Sequence, residues 1–197
     1  MTDFVDDTTS PDYTRRLAQL QGAWWKRALD VQAPYRRNVL RHLGGRRTID
    51  VGAGIGRTLQ ALAPGSVGVD HNVRSVAFMR ARGLTAFTPE EFFRRDELYD
   101  GLLAAHLLEH LEPGTQEEVL RPYIERLAPG ARAMVVCPQE RGFASDSTHT
   151  DFVDGARMAE ILTSLGLRVR RSWSFPFPRW AGRAFVYNEF CVVADNG

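Results

Sequence analysis

The sequence predicts an α/β fold: a seven-stranded, mostly parallel sheet with an antiparallel last strand, helices on both faces and an N-terminal helical cap. Three observations predict it. From Arg46 onward, short apolar runs alternate with helix-length amphipathic stretches, as in a parallel sheet covered on both faces. The first such run, Thr48 to Val51, passes directly into a glycine-rich turn with Gly52, Gly54 and Gly56. The last two apolar runs, 167–175 and 184–193, have no helix between them, so one of them returns antiparallel.

Size and composition set the frame. The 197 residues suit one domain, and 44% hydrophobic with 25% charged residues is ordinary for a globular protein. A net charge of +1 gives no general attraction for phosphate backbones, so nucleic acid is not an expected partner. No apolar run reaches membrane-spanning length and no secretory signal opens the chain, so no membrane partner is expected. The expectation is a cytoplasmic monomer or homodimer. Cys137 and Cys191 lie in strand-like apolar runs and read as small core residues. Lys26 is the sole lysine, so arginine supplies 24 of the 25 basic residues. Such a chain-wide bias points to a GC-rich genome and to no particular site.

Residues 1–12 are polar and acidic and read as a flexible tail. Residues 13–197 form the domain, with the helical cap over 13–45 and the sheet core over 46–197. In the cap, Leu17, Leu20, Trp24 and Leu29 share one face of a helix running towards Asp30. A second helix spans about Pro34 to Leu43 and ends at Gly44-Gly45. This cap either completes the core or closes over a ligand. After the glycine turn a helix is expected from about Arg57 to Ala63, stopped by Pro64-Gly65. Strand two is Ser66 to Asp70, followed by a helix from Val73 to Arg82 that ends at Gly83. A short strand, Leu84 to Phe87, leads into a helix start at Thr88-Pro89-Glu90. Strand four is Tyr99 to Ala105, a helix covers Thr115 to Leu127, and strand five is Ala131 to Pro138. Gln139 to Asp151 is a polar loop without periodicity, of a length that is often functional. Asp154 caps a helix ending at Gly166, and the last two strands follow.

Glycines let a ligand approach the backbone of the turn closely, and an acid closing the second strand, Asp70, can accept both hydroxyls of a ribose. The spacing is G-x-G-x-G, and Arg57 occupies the place of the third glycine of a dinucleotide fingerprint. With Asp50 before the turn and Asp70 after it, this spacing resembles the first motifs of class I S-adenosylmethionine (SAM) methyltransferases, including small actinobacterial O-methyltransferases. Leu127-Ala128-Pro129-Gly130 and Val135-Val136-Cys137-Pro138 are similar to later motifs of that family. The resemblance covers roughly 46–193. It implies a Rossmann-like fold, S-adenosyl-L-methionine as cofactor, and cofactor contacts from Asp50, Gly52, Ala53, Gly54, Gly56, Asp70, His71 and His106. It also implies that Thr88 or Glu90 reaches the adenine. The alternatives are a glycine turn without a ligand, and a Thr88–Glu90 segment that only opens a helix.

A second constellation follows strand four. His106, Glu109 and His110 stand at i, i+3 and i+4 and share one face of a helical turn, and His149 lies in the loop after strand five. Imidazole and carboxylate at this spacing suit a divalent cation. The pattern resembles the metal cluster of plant small-RNA 2′-O-methyltransferases and of the O-methyltransferases of ubiquinone synthesis. In this chain His106 replaces the first acid of that cluster. The resemblance implies a metal site of His106, Glu109, His110 and His149. Mg²⁺ suits carboxylates, whereas the added imidazole admits Mn²⁺, Fe²⁺ or Zn²⁺. The same four residues are the catalytic candidates, with His149 or His106 taking the acceptor proton. A metal-free version uses one histidine as base, oriented by Glu109 or Asp151.

The acceptor expected is a small polyhydroxylated molecule, a carbohydrate above all. Trp24, Trp25 and Tyr35 from the front of the chain, and Phe175, Phe177, Arg179, Trp180 and Tyr187 from the last hairpin, are the substrate candidates, with Asn188 at the ring edge. Aromatic rings stack on the C–H faces of a sugar while polar groups bond its hydroxyls. The competing reading packs these aromatics on the sheet or on a dimer partner. An RNA-end 2′-O-methyltransferase, an enzyme for a natural-product phenol or amine, and a non-catalytic SAM-binding module remain as alternative functions.

Overall fold

The computed structural model describes residues 32–197. Trp24, Trp25 and the expected first cap helix lie outside the described residues.

Helix α1 (Ala33–Leu43) precedes the sheet, with Pro34 in its first turn and Arg41 and His42 in its last, as the helix dipole favours. Strands β1 (Thr48–Val51), β2 (Val67–Val69), β3 (Ala86–Phe87), β4 (Tyr99–Ala105), β5 (Leu127–Pro138), β6 (Arg168–Phe175) and β7 (Glu189–Asp195) form one sheet in the order β3-β2-β1-β4-β5-β7-β6. The pairs among β1 to β5 are parallel, and β7 runs antiparallel between β5 and β6. The sheet expected from the sequence is therefore the sheet observed.

Alternation along the strands builds two apolar layers. Ile49, Val51, Leu102, Ala104 and Val135 pack one way, under α3 (Pro89–Phe93), α4 (Gln116–Ile124) and α6 (Gly155–Ser164) through Phe92, Tyr123, Met158 and Ile161. Leu103, Met134, Val136 and Val193 pack the other way, under α1 and α2 (Val73–Ala81) through Leu43 and Met79. Cys137 belongs to the first layer and Cys191 to the second; both are buried free thiols.

Four boundaries differ from the expected ones. The helix foreseen over 57–63 is a single 3₁₀ turn, Leu59–Ala61. The glycine turn and the Pro64-Gly65 stop take up most of the crossover between Val51 and Val67, so one turn is all that fits. Helix α4 ends at Ile124 rather than Leu127, because Arg126 already offers its carbonyl to Tyr99 N–H. Strand β5 starts at Leu127, and a bulge between its Leu127 and Arg132 pairings absorbs Pro129 and Gly130. Strand β7 begins at Glu189, not Ala184. Residues 184–188 complete a 3₁₀ segment, Arg179–Arg183, and are held there by buried Asn188. Asn188 donates to Gln139 Oε1 at 3.0 Å and accepts from Phe177 N–H at 3.0 Å. The loop after β5 also contains a short helix, α5 (Glu140–Phe143).

The parallel strands end at one rim of the sheet. Because β7 runs the other way, its first residue, Glu189, pairs with Pro138 and joins that rim.

Candidate active site

The glycine turn is knitted to β2. The Gly52 and Ala53 N–H groups both donate to the Val69 carbonyl, at 2.8 and 3.2 Å. Gly52, Gly54 and Gly56 all have positive φ, between 56° and 73°, which L side chains resist. The latter two serve different ends. A β-carbon on Gly56 would meet Leu84 Cδ1 at 2.7 Å and Met79 Cγ at 3.0 Å, so this glycine lets the turn close on α2. A β-carbon on Gly54 would meet nothing within 4 Å, so the peptide there faces open space.

Two acids flank the turn. Asp70 is buried; its Oδ2 accepts the Gly54 N–H at 2.7 Å and its Oδ1 the Asn72 N–H at 2.9 Å. Each oxygen retains capacity for a second donor, which a ribose diol would use. Burial raises the Asp70 pKa against the opposing effect of these two bonds. Asp50 on β1 is pushed up to about 7, first by burial and then by the nearby Asp70 carboxylate. His71 follows at the surface, with Nδ1 3.8 Å from Asp70 Oδ1. Turn and acids thus fit an adenosyl ligand: an open peptide face lies beside a buried acceptor pair.

Thr88 and Glu90 are placed at the start of α3. The Thr88 hydroxyl accepts the Glu91 N–H and the Glu91 carboxylate accepts the Thr88 N–H, a reciprocal capping box. Thr88 is therefore engaged as a helix cap, and Glu90 is exposed in the first turn.

Beyond β4 the chain makes a 3₁₀ turn, Leu108–His110, and the loop after β5 folds onto it. Thr150 N–H donates to the Glu109 carbonyl at 2.7 Å, and Thr150 Oγ1 to the Leu111 carbonyl at 2.7 Å. These bonds bring His149 to His110, with ring centroids 4.7 Å apart. Ligand atoms of Glu109, His110 and His149 lie within 4.8 Å of one another. Three further facts suit a cation. Glu109 is fully buried, and its Oε2 has no hydrogen-bond partner. His149 Nδ1 faces the Phe143 carbonyl at 2.8 Å, and His110 Nδ1 faces the Thr148 carbonyl at 3.2 Å. Each Nδ1 is then the N–H, which leaves both Nε2 atoms as lone-pair donors, as metal-bound histidines require. Burial also lowers the His110 pKa, favouring the neutral ring.

His106 is not part of this trio, in contrast to the expectation from the sequence. Its Nδ1 lies 3.1 Å from Glu109 Oε1 and its Nε2 2.9 Å from Glu189 Oε1. Two carboxylate partners require a proton on each nitrogen, so the ring is an imidazolium with no lone pair for a metal or a substrate proton. Burial acts to lower its pKa, but the bonds to Glu109 and Glu189 outweigh this and hold it well above the ordinary value. Burial raises the Glu109 pKa, and His106 more than offsets this, keeping Glu109 ionised. The Cys137 thiol is driven well up by burial and by Glu109, so it is inert. Asp151, the expected alternative orienter, instead accepts from Gln116 Nε2 at 2.8 Å.

A cavity of about 100 Å³ lies between α1, the glycine turn and the ends of β4 and β7, lined among others by Tyr35, Asn38, Thr58, His106 and Glu189. Tyr35 donates its hydroxyl to the Tyr187 carbonyl at 2.9 Å, so these two substrate candidates meet. Arg179 does not join them. It pairs with Glu140, lies over Phe190 and lines a separate, open groove beside Asp154 and Ser172. Trp180 is 75% exposed, and Asn188 is buried in its internal bonds rather than at a ring edge. Glu189 was missed by sequence reasoning. The expected antiparallel course of the last strand carries the signal, because it sends that strand's first residue to the rim.

No protein-family model matches the chain, and no curated protein sequence matches it. Solved structures do. A SAM-dependent methyltransferase from Archaeoglobus fulgidus is 22% identical with a TM-score of 0.67, over 84% of this chain and 92% of that one. The N-methyltransferase NodS from Bradyrhizobium japonicum WM9 is 16% identical with a TM-score of 0.64, over 84% and 96%. Magnesium protoporphyrin IX methyltransferase from Synechocystis PCC 6803, solved with bound SAM, is 15% identical with a TM-score of 0.61, over 98% and 94%. The fold is that of SAM-dependent methyltransferases. Among the described residues, no helix is long and apolar enough to cross a membrane.

Proposed function

We propose that this chain is a SAM-dependent O-methyltransferase that acts on a small polyhydroxylated acceptor, most simply a sugar, with a divalent cation held by Glu109, His110 and His149. The observation that carries this reading is the fully buried Glu109, one oxygen of which has no partner, grouped with ligand atoms of His110 and His149. The fold likeness and the acid pair Asp50–Asp70 support SAM as the cofactor.

The cofactor, when bound, supplies an electrophilic methyl group, and a cation lowers the pKa of a bound hydroxyl and favours acceptors with neighbouring oxygens. The residues do the rest. The Gly54 peptide and Asp70 would hold the nucleoside, Asp70 offering its remaining acceptor capacity to the ribose hydroxyls. His110 and His149 would offer Nε2, and Glu109 a carboxylate oxygen, to the cation. In a cation-free site the Nε2 atoms of His149 and His110 are the groups able to take the acceptor proton, since His106 already carries two. Tyr35 lines the cavity and donates to the Tyr187 carbonyl, so it would contact an acceptor bound there. Holding acceptor and methyl in line supplies several kcal/mol of the barrier.

The test is turnover with labelled SAM against sugar, catechol, amine and RNA-end panels, with Mg²⁺, Mn²⁺ or Zn²⁺ and after chelation. The expected result is cation-dependent methylation of a hydroxylated acceptor, lost in Glu109→Gln and His149→Ala while SAM binding persists. Full activity in both variants refutes the assignment.

A further inference from the structure

Glu189 lies 83 positions from His106 in sequence, yet its Oε1 sits 2.9 Å from His106 Nε2. On the other side of the ring, His106 Nδ1 is 3.1 Å from Glu109 Oε1. The three side chains form a line from the first residue of β7 to the buried carboxylate whose other oxygen is unpartnered. His106 holds this place at φ +54°, a conformation that residues with a β-carbon resist. Its N–H is fixed by the Val136 carbonyl at 2.9 Å, so backbone and ring are both anchored. Glu189 is anchored too: its carbonyl accepts from Gln139 Nε2 at 3.0 Å, and its side chain is 12% exposed.

We propose that Glu189 is a positioning residue for the metal centre: acting through His106, it fixes the rotation of the Glu109 carboxylate so that Oε2 is turned towards His110 and His149. This rests on the metal reading given above. A carboxylate with one oxygen tied to a clamped ring has its second oxygen's direction set, whereas an untied one rotates freely about its last bond. The position occupied by an acid ligand in the resembling clusters is here filled by a histidine that orients a ligand instead. Partners of this kind change metal affinity by about 10- to 100-fold.

The experiment is calorimetric titration of the full chain with Mn²⁺ and with Zn²⁺, without cofactor or acceptor. The wild type should take up one equivalent. Glu189→Ala should bind about 10- to 100-fold more weakly. Glu189→Gln, whose amide oxygen can accept from His106 Nε2–H, should recover most of that loss. His106→Ala should lose as much as Glu189→Ala, and the double variant no more than either, since both act along one line. With Co²⁺ as probe, the visible d–d bands should shift in Glu189→Ala and stay in place in Glu189→Gln. Thermal unfolding of the metal-free variants checks folding, and if Glu189→Ala does not fold, His106→Ala and Glu189→Gln carry the comparison. Unchanged affinity in Glu189→Ala, or in His106→Ala, overturns the proposal. So do an equal loss in the Ala and Gln variants and additive losses in the double variant. Failure of the wild type to take up either metal sinks the metal reading itself.

Discussion

Replacing Asp50 with Asn tests how the fold treats its first acid. Asp50 is 4% exposed, and burial followed by the Asp70 charge moves its pKa from 3.8 to about 7. The folded state therefore holds this proton more tightly than the unfolded chain does. The resulting stability is fully present below about pH 4 and is lost as pH rises through about 7. A span of about three pH units at ~1.4 kcal/mol each gives a loss on the order of 4 kcal/mol. Asp70 is raised as well, so the two carboxyls titrate as a pair and the part removed with Asp50 alone is roughly 2–4 kcal/mol. The assay is urea unfolding of both proteins, free of cofactor, from pH 4.5 to pH 8. The stability of Asp50→Asn relative to wild type should grow by that amount across the range, in favour of the variant. A difference that stays constant with pH would refute the argument that burial governs this acid.

Four further outcomes are expected. Gly54→Ala should cost about 1 kcal/mol of stability from its positive φ alone yet weaken SAM binding at least tenfold by calorimetry. Gly56→Ala should cost about 2–4 kcal/mol in denaturant unfolding, because the added methyl also crowds Met79 and Leu84. Thr88→Ala removes the cap of α3 and should lower stability by about 1 kcal/mol while leaving SAM affinity within twofold. A cation at one hundred times its Kd should stabilise the wild type by about 2.7 kcal/mol in thermal unfolding, reversed by chelator and absent in His149→Ala.

The sheet was legible because its signals are local. Apolar runs of strand length, glycine stops and the missing last crossover fix strand count and direction without any long-range contact. The helix after the glycine turn was not legible, because Leu59 to Ala63 has helical composition but lacks the length between two obligatory turns. The start of β7 was misjudged because Ala184 to Tyr187 looks strand-like; buried Asn188 overrides that propensity through partners at Gln139 and Phe177. Glu109, His110 and His149 were visible as residue types at a spacing. The division between them and His106 was not, because it depends on the two carboxylates, Glu109 and Glu189, that the fold brings to the His106 ring. Glu189 could not be read from any local pattern, since its partner is in another strand's exit.

The antiparallel course of β7 has a consequence for how the molecule comes into being. A chain emerging from the ribosome can form the glycine turn and both exits, of β4 and of β5, well before Glu189 has been made. Until the segment beyond Asn188 is synthesised and slides between β5 and β6, His106 lacks one of its two acids and β5 lacks a neighbour. Assembly of this rim thus waits for the strand that follows Asn188, and a nascent chain stalled before that point carries the cluster in unfinished form.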